Sequence, residues 1–278
     1  MILKNRFSYI QIRAFSMLFF IMTVFLCLNA PYTNGQDQKI QTPPKRVLFV
    51  GNSYTYFENL PHIVSAMAEK KGIPLIVQTS TAGGATLEHH WKGERFLTTV
   101  QKIESEDYDA VILQDQSRRP ILEPEKTIKD IGLFCTLIKK KKAVPYLFLT
   151  WASKNDPKMQ GQLTETYMKA ARINNAKVIP VGLAWELARK LRHDIPVYSK
   201  DGQHPSKLGA YLTACVFFGI LTGESPLVLS KYPMNTDNIG DSNDPMGLNE
   251  QDKIFCQKVA EQTTEEFYPN KTINPTGR

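Results

Sequence analysis

Short apolar runs alternate with amphipathic segments along the chain from Arg46 onward. The apolar runs are rich in β-branched and aromatic residues and are bounded by turn-forming residues, so they predict strands. The predicted strands are Val47–Val50, Leu75–Thr79, Ala110–Leu113, Tyr146–Thr150 and Val178–Val181. Strands that alternate with helices form a parallel sheet covered on both faces, so the pattern predicts a doubly wound α/β domain with a five-stranded parallel sheet.

The amphipathic segments predict the helices that cover this sheet. The first begins near Asn59, carries Pro61 in its first turn and stops at Gly72, which is the typical placement of proline and glycine at helix ends. Its apolar residues, including Ile63 and Met67, lie on one face at helical spacing. Later helices are predicted at Pro124–Lys140, Lys158–Asn174, Ala184–Leu191, Ser206–Leu221 and Asn249–Phe267.

The first 35 residues follow a different pattern. A basic stretch ending at Arg13 precedes an apolar run from Ala14 to Leu28 and then a polar stretch. This layout is typical of a secretory signal peptide, predicted over residues 1–35, with an uncleaved membrane anchor as the alternative. We therefore expect a protein exported to the periplasm or the medium of a bacterium, without stable membrane insertion after cleavage.

The remainder is predicted to form one domain. Residues 36–45 are expected to be a linker, residues 46–268 the domain, and residues 269–278 a disordered tail. The segment 223–247 is rich in Pro, Asn and Asp and predicts a long loop. With 278 residues and 42% hydrophobic content, the chain is long enough to bury one sizeable core.

Charge and cysteine content give no sign of a nucleic-acid partner, a disulfide framework or a zinc site. The net charge is +7 and falls to about +4 without residues 1–35, so nothing requires a nucleic-acid partner. Cys135, Cys215 and Cys256 lie in apolar helical stretches and are expected to be buried free thiols. No Cys and His spacing indicates a zinc site, and neither a metal nor an organic cofactor is expected.

A serine follows a glycine where the first predicted strand meets its helix. The sequence Gly51-Asn52-Ser53 places a hydroxyl at a helix N-terminus, where backbone N–H groups stabilise an oxyanion. Thr55 stands where a G-x-S-x-G elbow has its second glycine, so this is a different motif. A turn glycine and a capping serine would give the same pattern without catalysis.

Asp201 and His204 stand three residues apart, just before a predicted helix. Within one turn of chain the carboxylate can bond one ring nitrogen and leave the other as a base. A turn followed by a polar residue is the structural alternative. A doubly wound sheet brings this pair and Ser53 to one edge, so their joint occurrence favours a catalytic triad.

Two polar clusters, Gly83-Gly84 and Gln114-Asp115-Gln116-Ser117, follow the second and third predicted strands. With the serine turn and the Asp-x-x-His pair, they stand in the order of the sequence blocks of the SGNH hydrolases, also called GDSL esterases and lipases, which the chain resembles. Including Thr150-Trp151-Ala152, the blocks are most similar to exported bacterial proteins of the DUF4886 type. The resemblance spans about residues 46–225.

The resemblance implies a three-layer α/β/α, flavodoxin-like fold and ester hydrolysis through an acyl-enzyme. Ser53 would be the nucleophile, His204 the base and Asp201 its orienting acid. The backbone N–H groups of Ser53 and Gly84 would form the oxyanion hole. A third donor, asparagine in the family, corresponds here to Gln116.

The sequence departs from the family pattern at this third donor. Gln116 is one methylene longer than asparagine, and Gln114, which stands at the usual glycine, is the alternative donor. Asn52 replaces an aspartate that the family often has. Losing one oxyanion donor costs about 10²- to 10³-fold in rate, so the assignment matters.

Aromatic and polar residues near the blocks are candidate substrate contacts. Trp91 and Trp151 are predicted platforms for a sugar ring, with core packing as the alternative. Asn52 and Tyr54 are further candidates, and His89-His90 is expected in a loop or at a pocket rim.

The expected substrate is a small-molecule or glycan ester, most consistent with a carbohydrate O-acetyl or other short-chain acyl ester. A secretory context and the absence of a long apolar lid segment favour it over a lipid ester. The alternatives are a lipase, thioesterase or acyltransferase with the same triad, and a catalytically retired carbohydrate-binding protein.

Overall fold

The computed structural model describes residues 45–231 and 247–269. Five strands in this part of the chain form one sheet in the order β2-β1-β3-β4-β5, and every neighbouring pair is parallel. The strands are β1 (Lys45–Gly51), β2 (Leu75–Thr81), β3 (Ala110–Leu113), β4 (Val144–Phe148) and β5 (Lys177–Ile179). The chain reverses its direction across the sheet between β1 and β3. Ligands of open α/β sheets bind at the carboxyl ends of the strands beside such a reversal.

Helices join the strands and follow the last of them. They are α1 (Ser53–Tyr56), α2 (Leu60–Lys70), α3 (Leu87–Lys92), α4 (Thr99–Ser105), α5 (Arg119–Leu122), α6 (Pro124–Lys140), α7 (Met159–Asn174), α8 (Val181–Leu191), α9 (Lys207–Thr222) and α10 (Glu250–Phe267). Short 3₁₀ helices span Phe57–Asn59, Glu94–Phe96 and Pro226–Lys231.

Alternate residues of each strand pack against different helices. Val47 and Phe49 of β1 contribute to a cluster with α2, α8, α9 and α10, whereas Leu48 and Val50 contribute to a cluster with α4, α6 and α7. All four side chains are fully buried, as expected of a parallel sheet covered on both faces. The predicted three-layer α/β/α, flavodoxin-like fold is therefore confirmed.

Most element bounds lie close to the prediction, and the differences have local causes. β4 begins two residues before its predicted start and ends two before its predicted end. β5 ends at Ile179 because Pro180 has no N–H for a sheet hydrogen bond, and α8 then begins at Val181, three residues early. Ser206 and Asn249 are the N-caps of their helices rather than first helical residues.

The predicted boundaries of the domain need small corrections. Lys45, placed in a linker by its composition, is the first residue of β1. The predicted signal peptide 1–35, linker residues 36–44, loop residues 232–246 and tail residues 270–278 lie outside the described residues. Among the helices that are described, none combines the length and apolar character needed to cross a bilayer. Cys135, Cys215 and Cys256 are buried free thiols, as predicted.

Candidate active site

Ser53, His204 and Asp201 form a continuous chain of hydrogen bonds. Ser53 Oγ lies 2.8 Å from His204 Nε2, and His204 Nδ1 lies 2.5 Å from Asp201 Oδ2. Ser53 is the first residue of α1, directly after β1, and the other two residues precede α9. The fold thus brings the three predicted triad residues together at the carboxyl edge of the sheet.

The serine turn, residues 51–54, is held in place by close packing. A Cβ atom at Gly51 would lie 2.3 Å from Thr55 Oγ1 and 2.4 Å from Gln114 Oε1, so any other residue would displace these two hydrogen-bonded side chains. The side chain of Asn52 caps α1 by accepting a hydrogen bond from Tyr54 N at 3.1 Å. These contacts fix the position from which the Ser53 hydroxyl projects.

Asn52 connects the serine turn to the loop that follows β2. Its side chain is 2% exposed, and its Nδ2 donates to Ala85 O at 2.9 Å, next to Gly84. Because both ends of this amide bond the backbone inside the protein, the prediction of a substrate contact at Asn52 is wrong. Its position instead fixes the distance between the Ser53 and Gly84 loops.

The Gln114 side chain holds the serine turn by hydrogen bonds from inside the core. The residue is fully buried, and its Oε1 accepts hydrogen bonds from Asn52 N and Thr55 Oγ1, both at 2.9 Å. Its Nε2 donates to Asp115 O. The amide is committed to the core, so the alternative assignment of Gln114 as an oxyanion donor is wrong.

Gln116 has a different environment two residues later. Its Oε1 accepts hydrogen bonds from the backbone N–H groups of Arg118 at 2.9 Å and Arg119 at 3.0 Å, at the start of α5. Its Nε2 lies 3.3 Å from Ser117 Oγ. The amide oxygen is therefore anchored, and the amide nitrogen is directed towards Ser117.

The backbone N–H groups of Ser53 and Gly84 have no hydrogen-bond partner among residues 45–231 and 247–269. Gly84 adopts φ 63°, and no atom lies within 4 Å of the position its Cβ would take. Asn52 joins the two loops that carry these N–H groups. Backbone N–H groups without an internal partner are the kind of donor that can stabilise an oxyanion.

Asp201 is surrounded by hydrogen-bond donors. Its Oδ1 accepts from Ser199 Oγ at 2.7 Å, Gln203 N at 2.8 Å and His204 N at 2.9 Å. Desolvation raises the pKa of Asp201, but the hydrogen bond from His204 and these three donors outweigh it and lower the pKa well below its usual value. The carboxylate is therefore ionised near neutral pH, as stabilisation of an imidazolium requires.

Two aromatic rings pack on the imidazole of His204. Phe57 stacks on it at a centroid distance of 4.6 Å, and Tyr54 meets it edge to face at 5.5 Å. Burial raises the pKa of Tyr54 to about 12, so its hydroxyl stays neutral. The stacking of Phe57 on His204 was not predicted from the sequence. The only indication of it is that Phe57 lies close to Ser53 along the chain, in the turn after α1.

Both predicted aromatic platforms pack against other aromatic rings of the protein, and Trp151 is fully buried. Trp151 is 1% exposed and lies between Tyr54, at 4.6 Å, and Trp185, at 4.0 Å, with all three rings nearly parallel. Both ring faces are covered, so the prediction that a sugar stacks on Trp151 is wrong. Its Nε1 donates to Gln203 O at 2.8 Å and so supports the Asp201 turn. Trp91 is partly buried and packs edge to face on the core residue Phe134 at 5.2 Å. Its role as a sugar platform therefore stays a prediction.

His89 and His90 lie in α3 rather than in a loop. His90 is fully buried, with Nε2 at 3.0 Å from Gly51 O and Nδ1 at 2.7 Å from Thr99 Oγ1. Burial lowers the pKa of His90 to about 4, so the ring is neutral and supports the serine turn. The expectation of a rim position is therefore wrong for His90. His89 accepts a hydrogen bond from Thr86 N in a capping box.

A cavity of about 170 Å³ opens beside the triad. It is lined by Tyr54, Ser117, Arg118, Trp151, Ser153, Asp156, Met159 and Gln203. The Tyr54 ring, which lines the cavity, contacts the His204 imidazole at a centroid distance of 5.5 Å, so the cavity lies near the triad, although no triad residue lines it. Within the described residues, no three His, Cys, Asp or Glu side chains are grouped as a metal site requires.

Comparisons with known proteins agree on the fold. No family model and no curated protein matches the sequence. A DUF4886 family protein from Bacteroides uniformis is 21% identical with a TM-score of 0.64, and the match covers 82% of this chain and 96% of that one. A candidate SGNH hydrolase from Slackia heliotrinireducens is 24% identical with a TM-score of 0.54, covering 63% and 97%.

A third structure carries a named activity. An acetyl xylan esterase is 15% identical with a TM-score of 0.52, and the match covers 63% of this chain and 99% of that one. At these identities the likeness establishes the architecture. The chain has the fold of the SGNH and GDSL hydrolases.

Proposed function

We propose that this protein is a serine esterase that works through an acyl-enzyme. The observation that carries the proposal is the chain of hydrogen bonds from Ser53 Oγ through His204 to Asp201. His204 Nε2 takes the Ser53 proton as Oγ attacks the ester carbonyl, and Asp201 stabilises the imidazolium that forms. His204 then protonates the alcohol, which leaves. A water molecule, deprotonated by His204, cleaves the acyl-enzyme and restores Ser53.

The proposed oxyanion hole consists of the backbone N–H groups of Ser53 and Gly84 and the side chain of Gln116. The N–H groups of Ser53 and Gly84 have no hydrogen-bond partner within the described residues. Support for Gln116 comes from its anchored Oε1, which directs Nε2 towards Ser117, a residue that lines the cavity beside the triad. Preorganised donors of this kind need no rearrangement when negative charge develops.

The proposed substrate is a carbohydrate O-acetyl ester or a related short-chain acyl ester. The cavity, at about 170 Å³, is smaller than the clefts of about 300–1,000 Å³ that hold larger ligands, and most of its lining side chains are polar. This lining favours an alcohol with hydroxyl groups over a long acyl chain, and therefore a carbohydrate esterase over a lipase. The fold likeness to an acetyl xylan esterase is consistent with this choice.

The proposal is tested by comparing the purified wild type with Ser53→Ala. The wild type is expected to hydrolyse p-nitrophenyl acetate and acetylated glycans and to be labelled by a fluorophosphonate at Ser53. Ser53→Ala should lose several orders of magnitude in kcat/KM and all labelling, because the nucleophile is gone. Hydrolysis by Ser53→Ala at the wild-type rate would falsify the mechanism.

A second candidate is carbohydrate binding without turnover. It is favoured by Gln116, which stands where a shorter amide is expected and whose oxygen is held by two backbone N–H groups at the start of α5. The labelling experiment separates the two functions, since a protein that binds saccharides but leaves Ser53 unmodified would be a binder.

We also propose export from the cell, supported by the basic and apolar pattern of residues 1–35. Cell fractionation and N-terminal sequencing of the native protein test it. A protein retained in the cytoplasm with its first 35 residues intact would contradict it.

A further inference from the structure

The cavity beside the triad contains two charged side chains of opposite sign. Arg118 comes from the loop after β3 and Asp156 from the loop after β4, and both line the cavity. Both residues are exposed, and across the described residues neither takes part in an ion pair. A carboxylate and a guanidinium that share a small cavity without neutralising each other are available to a ligand.

The remaining lining groups narrow the chemistry of that ligand. Ser117 and Ser153 contribute hydroxyls and Gln203 an amide, so donors and acceptors surround the cavity. A cationic ligand would be repelled by Arg118, and an anionic ligand would be repelled by Asp156. A neutral ligand with several hydroxyls can donate hydrogen bonds to Asp156 and accept them from Arg118, because each hydroxyl is both a donor and an acceptor.

The position of the cavity indicates which half of the ester it binds. In acyl transfer the histidine protonates the leaving oxygen, so the alcohol lies on the histidine side of the nucleophile. Gln203, which immediately precedes His204, lines the cavity, and so does Tyr54, whose ring meets the His204 imidazole edge to face at 5.5 Å. The cavity therefore adjoins the leaving group.

We propose that Asp156 and Arg118 form the subsite for the alcohol half of the ester, a neutral sugar ring. Asp156 accepts hydrogen bonds from two adjacent hydroxyls, and Arg118 donates to a further oxygen of the ring. This inference rests on the proposed esterase function and assigns substrate selection to two residues outside the triad.

The test compares substrates that form the same acetyl-enzyme. Acetylated xylo-oligosaccharides and acetylated glucose carry a sugar, and p-nitrophenyl acetate does not, so deacylation is common to all. For Asp156→Asn and Arg118→Met, the ratio of kcat/KM on the best acetylated saccharide to kcat/KM on p-nitrophenyl acetate should fall about tenfold or more, as loss of a hydrogen bond to a charged group predicts.

Asp107→Asn is the matched control. Asp107 is an exposed carboxylate before β3, at the opposite edge of the sheet, with 97% of its side chain accessible. The ratio should not change in this variant. An unchanged ratio in both cavity variants overturns the subsite, and so does a wild type that cleaves p-nitrophenyl acetate but none of the acetylated saccharides. A folded wild type that cleaves no ester at all overturns the esterase function itself.

Discussion

Gln114 and Gln116 stand two residues apart after β3 and have different roles. Gln114 is fully buried, and its amide oxygen holds the serine turn while its amide nitrogen donates to Asp115 O in its own loop. Gln116 anchors only its oxygen firmly, on two backbone N–H groups. The sequence showed that an amide stands near the proposed oxyanion hole. It could not show which one, because the direction of a side chain depends on hydrogen bonds from distant segments.

Gln116→Glu separates the two functions of the Gln116 amide. The substitution keeps an oxygen that accepts from Arg118 N and Arg119 N and replaces the Nε2 donor with an acceptor. We expect kcat on p-nitrophenyl acetate to fall about 100-fold, the cost of one oxyanion donor, with Tm unchanged. Wild-type kcat in this variant would exclude Gln116 from the oxyanion hole.

His90 makes stability depend on pH in a defined direction. Its folded pKa of about 4 lies below the ordinary value of 6.5, so the unfolded chain takes up the proton first. The stabilising contribution is complete above pH 6.5 and is lost as the pH falls towards 4, with a total of about 3 kcal/mol. Urea unfolding of the wild type and His90→Gln at several pH values measures it. Parallel curves for the two proteins would contradict the assignment.

At the scale of elements, two loops carry the proposed oxyanion donors, and one side chain joins them. Asn52 belongs to the serine turn and bonds Ala85 O in the loop after β2. The five strands could be predicted because their apolar runs are continuous. The short helices α3 and α4 were missed because isolated segments of six or seven residues are defined by packing rather than by periodicity.

Asn52→Asp tests the connection between the loops. The new carboxylate retains the oxygen that caps α1 but places a second acceptor against Ala85 O. We expect kcat to fall about tenfold with little change in KM, because the two N–H donors are no longer held at a fixed separation. Asn249→Asp, the same change at the N-cap of α10, should leave both constants unchanged. Equal kinetics in the two variants would remove Asn52 from the positioning of the site.

At the scale of the whole molecule, the strand order explains why residues 151 positions apart meet. The chain reverses across the sheet beside β1, and the loops after β1, β3 and β4 converge there with the turn before α9. Alternating apolar runs and helices predicted this architecture. They did not reveal that Trp151 is covered on both faces, since burial of an aromatic ring depends on partners such as Trp185 that lie far along the chain.

Close packing between α8 and α9 supports the turn that carries Asp201 and His204. A Cβ atom at Gly209 would lie 2.1 Å from Val197 O and 2.8 Å from a ring atom of Trp185. Gly209→Ala should therefore destabilise the protein by about 2 kcal/mol, a fall in Tm of about 6 °C. Gly161→Ala in α7, where no atom lies within 4 Å of the new Cβ, should leave Tm unchanged or slightly higher. Similar Tm values for the two variants would refute the packing argument.

The parallel stack of Trp151 and Trp185 also gives the protein an optical signature. Two of its three tryptophans are stacked face to face, with ring centroids 4.0 Å apart and nearly parallel planes, so their electronic transitions are strongly coupled. Trp151 borders the cavity beside Ser53 and bonds Gln203, so any ligand that displaces this turn alters the coupling. Near-ultraviolet circular dichroism can therefore report on occupancy of the cavity without a label, even in a Ser53→Ala protein that turns over no substrate.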